Sequence, residues 1–194
     1  MRYQTSSFVA LFDACVLYSP GLTSLVIDLA RTGLFRAKWT SRIHDEWTRA
    51  ALETLGESAR AKIDKRRTEM DAAIQDCLVE GYEPLESALA LPDPHDRHVL
   101  AAAISCKASV IVTYNVRDFP ESALAPHYVD VQHPDDFLRH AASLDLHAVL
   151  EAAQATRRRR KNPPCSAEDF LAEMRNNWQL ATTAGVLSEY VGML

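Results

Sequence analysis

The segment FVALFDACVLYSPGL, residues 8–22, decides the fold class. Phe8 to Phe12 is a short apolar run bounded by polar residues, which reads as a buried strand, and an acid, Asp13, stands at its end. Ser19 and Pro20 then open a helix, because proline fits the first helical turn, where its missing N–H costs nothing. That helix runs to about Arg31 and stops at Gly33.

The same alternation continues outward from this segment. Thr40 or Ser41 opens a second helix, in which Ile43, Trp47, Ala50 and Ala51 repeat at helical spacing until Gly56 ends it. Residues 57–78 predict one long amphipathic helix with Ile63, Met70, Ile74 and Cys77 inward. An irregular stretch follows, with a short strand expected near Leu85. In LPDPHDRHVLAAA, residues 91–103, Asp93 is a good N-cap, Pro94 takes the first helical position, and the alanines propagate the helix. Ser109 to Thr113 reads as a buried, β-branched strand and Tyr128 to Val131 as another, with Pro134 opening a further helix. Short apolar strands alternating with helices predict an α/β fold with a central parallel sheet flanked by helices. The expected division is residues 1–140 as this unit and 141–194 as a helical C-terminal extension, whose last part starts at a capping-box-like Ser166 and Asp169.

Composition narrows the function classes. The 194 residues are 47% hydrophobic and 24% charged, which excludes a globally disordered chain. The net charge of −5 argues against a wholesale polyanion binder, while leaving room for a local basic patch. The four cysteines, Cys15, Cys77, Cys106 and Cys165, are not at metal-ligand spacing. No secretory signal or long apolar run accompanies them, so the expectation is a cytoplasmic protein with reduced thiols and no membrane association.

Ligands of parallel α/β sheets bind beyond the carboxyl ends of the strands. Asp13 and Asp118 fall there, Asp96 lies in the first turn of the alanine-rich helix, and Glu46 flanks the inward face of the second helix. Converging carboxylates repel one another unless protons or cations neutralise them. Oxygen-rich sites of that kind suit Mg²⁺ or Mn²⁺, which can activate water and neutralise a phosphodiester. Taken singly, each acid also has a plain reading: Asp13 as a strand terminator, Asp96 as a helix N-terminal acid, Glu46 as a solvated helix residue, Asp118 as a turn residue. A dehalogenase-like phosphatase would need an acid where Cys15 stands, and a P-loop enzyme needs a Gly-rich Lys-Ser/Thr loop that is absent.

The strings FVALFDACVLYSPGL, HDEW, LPDPHDRHVLAAA and VIVTYNVRDFP, in this order over about residues 7–138, resemble a PIN domain, particularly the bacterial branch close to VapC-type toxins. The resemblance implies a Rossmann-like nuclease with an acidic quartet, here Asp13, Glu46, Asp96 and Asp118, of which Asp13, Asp96 and Asp118 would hold Mg²⁺ or Mn²⁺. Asn115 matches a polar residue that often accompanies the last acid. Asp93 is a nearby alternate to Asp96, and Cys15 replaces a small polar residue common in relatives. The implied activity is metal-dependent endoribonuclease cleavage by the toxin of a toxin–antitoxin pair, leaving a 5′-phosphate and a 3′-hydroxyl. The implied partners are RNA, a small antitoxin and, by family habit, a second copy of the chain. The competing reading is a PIN-fold protein that binds protein or RNA without cleaving.

Other residues are weighed on their own chemistry. Arg117, beside Asp118, is a candidate for positioning a phosphate, with a surface role equally open. His95 and His98 read as surface or supporting histidines, since a third metal ligand is missing. Arg157 to Lys161 is open between RNA phosphate contacts and the cationic last turn of a helix. Trp39, Trp47 and Trp178 read as core, and Tyr114 is the aromatic to test for base stacking.

Overall fold

The protein is described by a computed structural model in residues 7–194; the first six residues, part of the segment read for a secretory signal, lie outside the described residues. Four strands, β1 (Phe8–Phe12), β2 (Phe35–Lys38), β3 (Val110–Val112) and β4 (Asp130–Gln132), form one parallel sheet in the order β2-β1-β3-β4. Ten α-helices among the described residues follow in chain order: α1 (Ala14–Leu17), α2 (Pro20–Arg31), α3 (Ser41–Leu55), α4 (Arg60–Ala73), α5 (Arg97–Ser105), α6 (Glu121–Leu124), α7 (Pro134–Leu144), α8 (Leu146–Arg158), α9 (Ala167–Asn176) and α10 (Ala181–Ser188). The α/β architecture with C-terminal helices is the one the sequence predicts.

Local chemistry sets the boundaries. Ser19 caps α2 through Leu22 N, with Pro20 at its first position. Thr40 caps α3 through Ile43 N at 3.0 Å, and Gly56 ends it at φ 81°, a conformation that costs glycine nothing. Phe8, Phe12 and Phe35 meet Phe137 of α7, with ring centroids 5.0–6.2 Å apart. Each fully buried ring stabilises the fold by roughly 1.5–3 kcal/mol. Trp39, Trp47 and Trp178 are all core, as expected.

Several expectations are corrected. The predicted helix over 57–78 begins as a 3₁₀ turn and ends at Ala73. The chain turns at Asp76, φ 59°, and returns beside Trp39, pairing Leu78 with it in a parallel bridge. Lys38 holds that return by donating to the Asp76 carboxylate at 2.8 Å, so tertiary pairing overrides the helical pattern. The stretch expected as a strand near Leu85 is a 3₁₀ turn, Glu83–Ala88, with Pro84 in its first turn. β2 was not foreseen: Arg36 and Lys38 hide its apolar alternation. β4 starts at Asp130 because Tyr128 is left-handed, φ 58°, and 92% exposed.

The C-terminal helices pack back onto the sheet unit. α8 lies along α2, where the buried Asp28 carboxylate accepts from Thr156 Oγ1 at 2.7 Å and from both terminal nitrogens of Arg159. Asp135 of α7 accepts from Thr182 N and Thr183 N, each at 2.8 Å, and so caps α10 from outside. The basic run is largely consumed inside the molecule. Arg157 donates to the carbonyls of Cys165 and Leu194, and Arg160 pairs with Glu173. Arg158 and Lys161 remain exposed, so helix termination and docking account for most of this run.

Candidate metal centre

Register places the first acid. β1 pairs with β3 so that Phe12 faces Val112, and Asp13 N donates to Val112 O at 3.1 Å. The chain ends of β1 and β3 therefore lie side by side, at the carboxyl edge where parallel sheets bind ligands. Asp13 is 7% exposed, and a buried carboxylate must be well supplied with donors. Its Oδ1 accepts from Ala14 N at 2.6 Å, which caps α1. Its Oδ2 accepts from Thr113 Oγ1 at 2.7 Å and from Cys15 Sγ at 3.1 Å.

Cys15 and Thr113 are supporting residues whose roles the sequence did not disclose. Thr113 Oγ1 accepts from Asn115 N at 3.0 Å while donating to Asp13, so one hydroxyl ties the acid to the following loop. Cys15 Sγ accepts from Tyr114 N at 3.4 Å. Burial first, then the Asp13 charge, pushes the Cys15 thiol up to about 12. It therefore stays a protonated donor, filling the place of the small polar residue that the resemblance leads one to expect. The signal available was a β-branched hydroxyl ending a strand beside an acid.

The other acids reach the same edge from different elements. Asp96 closes a 3₁₀ turn, Pro94–Asp96, that leads into α5, and Asp93 caps the turn through His95 N at 2.8 Å. Asp118 closes the turn Val116–Asp118 after β3. Their convergence is read in the Asp96 carboxyl, which is held up at about 6 by burial and then by the charges of Asp13, Asp93 and Asp118. The nearest candidates thus include Asp93 as well as the three acids named for the metal.

Glu46 meets a buried histidine and an arginine. It is half-buried, and its Oε1 lies 3.0 Å from His98 Nε2 and 3.6 Å from Arg42 Nε. His98 is 1% exposed and its Nδ1 has no partner, so it is a buried supporting group rather than a surface residue. Asn115 and Arg117 are exposed on the Asp118 loop, and among the described residues their side chains form no hydrogen bond. Tyr114 is not free to offer its hydroxyl to a base, because Oη donates to Trp178 O at 2.8 Å.

The donor set is made of hard carboxylate oxygens, with the one nearby thiol protonated, and this chemistry fits Mg²⁺ or Mn²⁺. Among the described residues no group of three or more His, Cys, Asp or Glu side chains is already arranged to hold a metal ion.

Comparison with known proteins covers both parts of the chain. A VapC50 C-terminal domain family model matches residues 134–189. A stretch of 60 residues, 30% of the chain, is 58% identical to a Mycobacterium tuberculosis (strain ATCC 25618 / H37Rv) protein described as "Putative ribonuclease VapC50". The matched stretch covers 34% of that relative, so the chain spans about a third of its length. No solved structure matches. A PIN domain family model matches residues 9–117, over half the chain and the span that contains Asp13, Glu46 and Asp96, and the chain belongs to the PIN domain family.

Proposed function

We propose that the chain is a divalent-metal-dependent endoribonuclease, the toxin of a toxin–antitoxin pair, working in the cytoplasm. The observation that carries the reading is the placement of Asp13, Asp96 and Asp118 at turns and caps beyond the carboxyl ends of β1 and β3, where the half-buried Asp96 carboxyl is crowded by the charges of Asp13, Asp93 and Asp118. Such crowding weakens the fold unless a cation offsets it, so its persistence is accounted for by a site built to attract one. Asp13, Asp96 and Asp118 would hold Mg²⁺ or Mn²⁺ directly or through water. When bound, the ion supplies charge neutralisation for a phosphodiester and a more acidic water.

The chain's own residues do the rest. Thr113, Cys15 and Ala14 N fix both oxygens of Asp13, so this acid needs no reorganisation on binding. Glu46, oriented by His98, completes the acidic wall and orients the attacking water. Cleavage leaves a 5′-phosphate and a 3′-hydroxyl. Arg117, exposed beside Asp118, contacts a substrate phosphate, and Asn115 stands beside it. An acidic pocket is also a receptor for an Arg or Lys of an antitoxin, whose charge replaces that of the ion and blocks substrate. The match of residues 134–189 to the VapC50 C-terminal domain and the name of the relative support the toxin assignment. The proposed organisation keeps the catalytic unit in residues 1–140 and a helical extension in 141–194, with a second copy of the chain as a further partner.

The test is RNA cleavage by the purified full chain with Mg²⁺ or Mn²⁺, with and without chelator, beside Asp13→Asn. Chelator-sensitive cleavage that Asp13→Asn loses is the expected result. Cleavage that survives either treatment refutes the assignment. Co-purification with the product of the neighbouring reading frame tests the antitoxin part.

A further inference from the structure

The loop that carries Asn115, Arg117 and Asp118 is anchored at one end by a residue the nuclease reading does not use. Tyr114 binds three ways: its N–H donates to Cys15 Sγ at 3.4 Å, its ring meets His133 edge-on at 5.0 Å, and its hydroxyl donates to Trp178 O at 2.8 Å. The last bond spans 64 residues and reaches the C-terminal helices. Its acceptor is the carbonyl of the segment just past α9, whose C-cap is Asn177, near the negative end of the helix dipole. Burial pushes the phenol up to about 12, so it stays a donor.

The position of Trp178 is itself fixed from the other side. Its ring is 2% exposed, stacks edge-on against Phe170 at 5.5 Å, and lies with Phe170 beneath the Arg160 guanidinium, 5.6 Å from each centroid. Gly21 of α2 faces the same ring. A Cβ built on Gly21 would overlap Trp178 and come within 2.6 Å of Arg160 Nη2, so a side chain at that position displaces one or both. Gly21 thus allows α2 to touch the ring, the ring sets its own carbonyl, and the carbonyl holds Tyr114. Phe119, buried at the other end of the turn, completes the clamp on the Asp118 segment.

We propose that Tyr114 and Trp178 are a positioning pair, through which the C-terminal helices hold the loop bearing Asp118 and set the affinity of the acidic pocket for its divalent cation. This rests on the metal-dependent reading above. It makes the C-terminal helices part of the site's framework, and it gives Gly21, outside the acid quartet, a role in ion binding.

Tyr114→Phe removes the hydroxyl and keeps the ring, so it is the primary variant; Gly21→Ala, which displaces Trp178, is the second. Amide hydrogen exchange is followed in the full chain for the segment 115–119, with β3 as the internal reference. Mn²⁺ affinity is measured on the same samples by titration. Loss of one neutral hydrogen bond gives about fivefold faster exchange in 115–119 and about fivefold weaker Mn²⁺ binding, with β3 unchanged. Because both substitutions act on one contact, the double variant matches the stronger single variant instead of multiplying the two. Folded Tyr114→Phe with wild-type loop exchange overturns the proposal, and so does faster exchange with unchanged Mn²⁺ affinity. A wild-type chain that binds Mn²⁺ through Asp13 yet cleaves no RNA would retire the nuclease reading alone, since neither readout here depends on cleavage.

Discussion

Asp96→Asn is expected to make the metal-free protein more stable while lowering cleavage. The Asp96 carboxyl is held at about 6 against an ordinary 3.8, by burial first and then by Asp13, Asp93 and Asp118. Between those values the folded chain keeps a proton that the unfolded chain has released, so stability falls as pH rises through this window. At pH 7.5 the whole penalty is expressed. About two units correspond to about 3 kcal/mol at roughly 1.4 kcal/mol per unit. Asp96 is only half-buried, and solvent screening reduces this to about 1 kcal/mol. Asparagine removes the charge and keeps the shape, so its melting temperature should rise by about 3 °C at pH 7.5 in low salt with chelator. The paired measurement is at pH 4.0, where wild-type Asp96 is already protonated and most of the difference should vanish. Titrations common to both proteins cancel in the comparison. Saturating Mg²⁺ at pH 7.5 should also shrink the gap, by stabilising the wild type more than the variant. An Asp96→Asn protein that is less stable than wild type at pH 7.5, or whose advantage is the same at pH 4.0, would show that the acids do not crowd Asp96.

Asp13→Asn should fold and lose at least the roughly 10–100-fold of activity that a supporting group of a metal site supplies, read as initial cleavage rates with Mn²⁺. Cys15→Ala should destabilise the protein by about 1 kcal/mol and weaken Mn²⁺ binding, whereas Cys15→Ser should restore both, because a hydroxyl can donate to Asp13 Oδ2 as the thiol does. Native Cys15 should label with a thiol reagent far more slowly at pH 8 than in denaturant, since its pKa is about 12. Arg159→Ala leaves the Asp28 carboxylate buried with Thr156 as its remaining side-chain donor, and urea unfolding should register a loss of about 1–3 kcal/mol.

What the sequence made legible was local. Ser19, Thr40 and Ser166 are caps whose effect is confined to three or four residues, and each caps the element expected of it, whereas Asp93 caps only the 3₁₀ turn that leads into α5 and Asp13 caps α1, a helix the sequence does not predict. β1 and β3 are continuous apolar runs, so their positions, and Asp13 and Asp118 after them, followed from pattern alone, whereas their register did not. β2 failed to show because two of its four residues are cationic, one of them buried only by virtue of Asp76, 38 positions away. The helix end at Ala73 was hidden for the same reason. In the site, the acids were visible as acids, but their supporting groups were not. Thr113 meets Asp13 across 100 residues, His98 meets Glu46 from another helix, and Tyr114 meets a backbone carbonyl that no side-chain pattern encodes.

The C-terminal helices change how their role must be tested. A cut after Lys161 would be the natural way to ask whether they bind an antitoxin or RNA. That cut removes Phe170, Met174, Trp178, Leu180, Ala184 and Leu187, each at most 2% exposed. It uncovers the apolar surface they pack against, strips the Asp135 carboxylate of its Thr182 and Thr183 donors, and frees the Tyr114 hydroxyl beside the acids. Loss of binding by such a fragment would then report a damaged core, not a missing partner surface. Exposed residues are the proper probes. The side chains of Arg158 and Lys161 are exposed and form no hydrogen bond or ion pair among the described residues, and the bridge of Lys161 to Pro164 is backbone only, so replacing both with alanine in the full chain should leave the melting temperature within about 1 °C. If that variant matches the wild type in the proposed RNA cleavage and in binding the proposed antitoxin, the basic run is structural, and the contribution of the C-terminal helices to the site passes through Trp178.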